Sequence, residues 1–144
     1  MNGKMPLRSV MFSVFVLLAV SCKTYTVTPE SFKSQFIKVD SRALKEMTIN
    51  NPLGFQNIRY AANQVEQINV IDKHGQMVVL PNSPSIETRV TLKNGKRHYF
   101  YFDTLVLQND TLIGSKSRFL SSIIQKLPFD SIEKIEIQNG GKKF

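Results

Sequence analysis

The chain has no tryptophan, a single cysteine and two histidines among its 144 residues, and each scarcity excludes something. One thiol, Cys22, cannot form an internal disulfide, so stability has to come from an apolar core. With no tryptophan, the ten phenylalanines and the aliphatic residues have to fill that core. The two histidines, His74 and His98, fall on separate segments without a third ligand at useful spacing, and zinc sites normally take at least three protein ligands. No Gly-x-Ser-x-Gly, phosphate-binding loop or His-Glu-x-x-His motif occurs. The expectation is a protein that is not an enzyme and uses no metal and no cofactor. Long hydrophobic runs are missing too. The longest, Val10 to Val20 with Ser13 inside it, is short of the roughly 20 apolar residues that span a bilayer as a helix.

What stands around that run is informative. Lys4 and Arg8 precede it, and it ends in Leu18-Ala19-Val20-Ser21-Cys22. A basic leader, a short apolar stretch and small residues at a cut site make a secretory signal peptide. With the cysteine at the cut, the segment resembles a bacterial lipoprotein signal with its lipobox, although Ala19 stands where the family usually has Leu. The resemblance implies cleavage between Ser21 and Cys22 and removal of residues 1–21. It also implies a diacylglyceryl thioether on Cys22, followed by fatty acylation (palmitate or a similar chain) of the freed amine. Several acyl chains are needed for stable anchoring, because one holds only marginally. The mature chain would begin Cys22-Lys23-Thr24-Tyr25, with no Asp after the cysteine and no acidic cluster. By the same resemblance this favours the periplasmic face of the outer membrane. The layout as a whole is similar to small Gram-negative envelope lipoproteins with a β-rich domain.

The full chain carries a net charge of +8. Loss of residues 1–21 takes two of the 19 basic residues and none of the 11 acidic ones, leaving +6 on 123 residues. Behind an export signal the partners that suit this charge are anionic lipid headgroups or glycans, and not nucleic acid. The lysines are scattered, with short groups at Lys93, Lys96 and Arg97 and at Lys142-Lys143, a pattern that usually marks a solvated face.

Residues 22–28 are polar and Thr-rich and read as a short tether. A helix is expected over 29–38. Thr28 caps it, Pro29 suits its first position, Glu30 complements its positive end, and Phe32, Phe36 and Val39 share one face. From there the pattern is strand-like over 46–50, 56–61, 65–72, 76–80, 86–93, 96–102, 104–108, 111–115, 122–127 and 132–138. Turn signals separate the segments, Asn94-Gly95 being the strongest candidate for a type I′ hairpin. Leu105, Leu107, Leu112 and Phe119 are expected to share one core. On the last strand Ile132, Ile135 and Ile137 should face inward, which requires a bulge or a twist between 132 and 135. The fold class that follows is mainly β, an antiparallel meander forming a small barrel or a sandwich with one N-terminal helix, in a single domain over 29–144.

Two patterns are candidates for sites. Along residues 96–102 the alternation points His98, Phe100 and Phe102 one way and Arg97, Tyr99 and Tyr101 the other. The second set could stack on a sugar or a base, although tyrosine also packs routinely at a sheet rim. Three triplets, Asp103-Thr104-Leu105, Asp110-Thr111-Leu112 and Asp130-Ser131-Ile132, resemble the acceptor motif of periplasmic O-glycosylation. That would make Thr104, Thr111 and Ser131 acceptors, while the plainer reading is an Asp that closes a turn before a β-former. The leading expectation is a lipid-anchored, non-enzymatic module that binds a partner or supports an envelope assembly. A glycan- or lipid-binding module on the Arg97/Tyr99/Tyr101 face, and an enzyme with a dispersed site, are the alternatives.

Overall fold

The structure is a computed structural model that describes residues 22–51, 54, 56–120 and 122–141. The leader, the cleavage position at Ser21 and the Lys142-Lys143 pair lie outside the described residues. The strands are β1 Lys23–Val27, β2 Lys45–Ile49, β3 Ile58–Ala62, β4 Gln67–Ile71, β5 Met77–Pro81, β6 Ile86–Leu92, β7 Arg97–Tyr101, β8 Val106–Gln108, β9 Thr111–Ser115, β10 Ile124–Pro128 and β11 Ile132–Asn139. Among the described residues one α-helix, α1, spans Pro29–Ile37.

The expected class is present, as a sandwich and not a closed barrel. A six-stranded antiparallel sheet of order β5-β4-β1-β11-β6-β7 packs against a three-stranded sheet β10-β9-β8, and β2-β3 forms a separate hairpin. The small sheet is a meander. The large one is completed by non-local pairing, because β1 is inserted between β4 and β11.

That insertion corrects the tether expected over 22–28. Every residue of β1 pairs with β11, from Lys23 opposite Asn139 to Val27 opposite Ile135. Lys-Thr-Tyr-Thr-Val is polar in composition, but Thr, Tyr and Val are all strand formers and they alternate. Tyr25 packs partly buried against the core and Val27 is buried within it, while Thr24 and Thr26 face outward.

Helix α1 starts as its sequence requires, with the Thr28 hydroxyl accepting the Ser31 N–H at 3.2 Å. Phe32 and Phe36 are its buried side chains. They meet two one-turn 3-10 helices of matching sequence, Phe102–Thr104 and Phe129–Ser131. The Phe32 ring lies 6.1 Å from Phe102 and 6.5 Å from Phe129. Each turn is a corner where the chain changes sheet, from β7 to β8 and from β10 back to β11. At each, a hydroxyl bonds the carbonyl three residues back, Thr104 to Tyr101 at 2.8 Å and Ser131 to Pro128 at 2.6 Å.

Asn94-Gly95 does not form the type I′ turn expected of it. At Asn94-Gly95 only Gly95 has positive φ. The Gly95 N–H bonds the Leu92 carbonyl and the Leu92 N–H bonds the Lys96 carbonyl. This is the three-residue loop in which a glycine in the left-handed region forms a bulge. The two-residue turn with both residues at positive φ is instead Asn109-Asp110, at 48° and 54°. The bulge expected on the last strand lies between Ile132 and Lys134, and Ile132, Ile135 and Ile137 are all buried. Leu105 and Leu112 join the core and Leu107 packs against it. Phe119 does not: it lies on an irregular loop and is 65% exposed.

Where β1 leaves β4 after a single pair, a side chain continues the ladder. The Gln35 amide of α1 accepts the Asn69 N–H at 2.8 Å and donates to the Asn69 carbonyl at 3.1 Å.

Candidate functional site

The most elaborate polar constellation joins four separate segments. β3 exposes Arg59 and turns Tyr60 inward by simple alternation. The first sheet-changing corner presents Asp103, and the loop before β10 contributes Arg118. Arg118 Nη2 donates to both carboxylate oxygens of Asp103, at 3.0 and 3.2 Å, and to the Pro84 carbonyl at 2.7 Å. Its guanidinium lies 3.7 Å from the Tyr101 ring centroid and 5.1 Å from that of Tyr60. The Tyr60 hydroxyl donates to Asp103 Oδ2. Burial, then the adjacent carboxylate, pushes that hydroxyl well above the usual tyrosine range. Asp103 and Arg118 are 4% and 7% exposed, so the pair is desolvated. It stands only because hydrogen bonds compensate the loss of water.

Asn63 ties the same corner to the large sheet. Its side-chain amide donates to the Phe102 and Leu105 carbonyls at 2.8 and 2.9 Å, and its backbone N–H bonds the Asp103 carbonyl. The amide oxygen accepts from Val65 N and from Asn82 Nδ2.

Above this floor lies a cleft of about 330 Å³. It is lined by Leu44, just before β2, and Arg59 of β3, and by Val106, Ile113 and Ile124 of the small sheet. Phe119 stands at its rim. Gly114 lines it as well, and a Cβ there would come within 2.5 Å of Leu105 and 2.7 Å of Phe100. β9 therefore crosses the core side chains closely at that point. Leu120 and Ile123, next in sequence to the lining residues Phe119 and Ile124, are exposed apolar side chains as well.

The residues singled out by sequence are dispersed. Arg97, Tyr99 and Tyr101 share one face of β7, but the Tyr101 ring is covered by Arg118. Only Arg97 and Tyr99 remain exposed there. His98 faces the small sheet, its Nδ1 2.8 Å from Gln125 Oε1. His74 sits in the turn between β4 and β5. Of the three triplets, Thr104 directs its hydroxyl to Tyr101 and receives the Ser115 N–H. Thr111 and Ser131 make exposed local bonds to Asn109 and Pro128. Two of the triplets therefore belong to the sheet-changing corners and the third to a hairpin turn. Cys22 is exposed and immediately precedes β1.

Sequence reasoning misses the cleft. Asp103 reads as a turn residue and Arg118 falls in a stretch without periodicity. The available signal is local: Arg118-Phe119-Leu120, in a stretch with no strand or helix pattern, puts two large apolar residues beside one arginine, just before the Ile123-Ile124 pair that opens the next strand pattern. Comparison with protein-family models, with curated proteins and with solved structures finds no match for this chain.

Proposed function

We propose that this chain is a lipid-anchored protein of the cell envelope, attached through Cys22 at the periplasmic face of the outer membrane, and that its sandwich is a non-enzymatic module that docks an envelope protein. The observation that carries the docking role is the apolar cleft on its rigid floor of Tyr60, Asp103 and Arg118. Its volume is at the small end for a ligand pocket. The sequence neighbours of its lining residues Phe119 and Ile124, Leu120 and Ile123, are also exposed and apolar. An anchor pocket flanked by further apolar contact is how protein partners are held, with a large side chain seated in the pocket and the surround excluding water. Exposed apolar patches of this kind mark interaction surfaces in monomers.

Two measurements test the two halves. Intact mass of the protein from its native envelope should equal residues 22–144 plus acyl groups, and Cys22→Ser should abolish both cleavage and lipid. For the cleft, a photoreactive residue replacing Phe119 should give one discrete protein adduct in the envelope. The same residue replacing Glu66 should give none, and Ile113→Asp should remove the Phe119 adduct. Equal, diffuse labelling from both positions would end the docking reading.

A further inference from the structure

The end of the sandwich beside Cys22 has properties of its own. β1 begins at the very next residue, so no spacer separates Cys22 from a central strand of the large sheet. The pairing of Thr26 with Ile71 brings the turn at 72–76 alongside residues 22–25, where the two segments line one groove. Lys23 and Lys73 both stand on it. Among the described residues neither has a carboxylate at ion-pair distance. The one acid of the turn, Asp72, faces its own backbone: Oδ1 accepts the N–H groups of His74 and Gln76 at 2.8 and 2.9 Å. Just behind the turn, Ile71 and Met77 are paired across β4 and β5 on the outer face, and Met77 is 77% exposed. Val79 continues the apolar face along β5, an edge of the sheet. Natural edge strands are usually covered or charged, and this one presents apolar side chains outward.

We propose that this end is a membrane-docking surface: Lys23 and Lys73 contact anionic phospholipid headgroups while Ile71 and Met77 enter the boundary between headgroups and acyl chains. The inference rests on lipid attachment at Cys22, and the missing spacer is what decides the occupant. An acyl anchor one peptide bond away from β1 holds this end against the bilayer, so the apolar pair and the two lysines meet lipid first. Basic residues near an anionic surface add attraction that falls off within a Debye length, and apolar side chains at the boundary add burial. The anchor converts both into an intramolecular event at high effective concentration.

The absence of native tryptophan makes a single reporter clean. Protein carrying Met77→Trp or, at the opposite end of the sheet, Lys93→Trp is purified from its envelope in detergent, weighed, and reconstituted into vesicles rich in phosphatidylglycerol with brominated acyl chains. The expected result is an acylated mass, with indole fluorescence blue-shifted and quenched in the Met77→Trp protein and unaffected in the Lys93→Trp protein. Adding Lys23→Glu and Lys73→Glu to Met77→Trp should bring its quenching down toward the Lys93→Trp level with the thermal unfolding transition retained. Replacing phosphatidylglycerol by phosphatidylcholine should do the same. An acylated protein quenched no more through Met77→Trp than through Lys93→Trp overturns the docking surface and leaves the anchor standing. A mass without acyl groups overturns the anchor, and the docking surface with it.

Discussion

At the scale of single residues, two buried carboxylates do different work. Asp103 is held by Arg118 and Tyr60 with almost no solvent, so removing its charge strands the guanidinium. Asp103→Ala should lower unfolding free energy by about 3–5 kcal/mol, the usual cost of breaking one side of a buried pair. The double variant Asp103→Leu with Arg118→Met should cost clearly less than the sum of the single changes. A urea-denaturation double-mutant cycle measures both. Glu136 lies on the outer face between Arg89, at 2.7 Å, and Lys134, at 3.0 Å. The Arg89 hydrogen bond, helped by Lys134 and opposed by burial, lowers its pKa from 4.5 to about 2. A carboxylate whose folded pKa is depressed binds its proton more readily when unfolded. Its stabilisation is therefore complete above 4.5 and is lost as the pH falls from 4.5 toward about 2. Stability measured across that window should drop more steeply for the native chain than for Glu136→Gln, which should be the less stable of the two at neutral pH.

At the scale of elements, packing leaves little slack where β9 crosses the core. Gly114→Ala should cost about 1–3 kcal/mol, as overpacking does, because the new methyl meets Leu105 and Phe100 inside contact distance; a shift in the urea midpoint at constant slope reads this. Every strand from β2 to β11 is legible in alternation and turn residues, with boundaries displaced by a residue or two. The helix is legible in Thr28-Pro29-Glu30 and the Phe32/Phe36 spacing. β1 is not, because Lys-Thr-Tyr-Thr-Val becomes a strand through a partner from the other end of the chain, and local composition does not carry that information. The site is hidden for the same reason. Tyr60, Asp103 and Arg118 are brought together by a hairpin, a corner and a loop distant in sequence, and each alone has an ordinary local explanation. Arg97, Tyr99 and Tyr101 are visible as a face, yet the arginine that occupies the third ring lies on another element.

At the scale of the whole molecule, the central pairing joins the two ends of the described chain, Lys23 with Asn139 and Val27 with Ile135. The large sheet is thus completed only after the last strand is available, and contacts so far apart in sequence slow folding. A chain lacking residues 22–28 should lose cooperative unfolding and become sensitive to protease, whereas Cys22→Ser should retain both properties. A mere tether could be deleted without either effect, so chemical denaturation and limited proteolysis separate the two. The placement of β1 has a mechanical consequence as well. Its hydrogen bonds to β11 run perpendicular to the strand, so a pull on Cys22 along the strand axis loads all of them in shear instead of opening them one by one. On the proposed attachment at Cys22 and docking at the cleft, a load between membrane and partner would pass through that ladder, and the anchor would join the domain where it resists force.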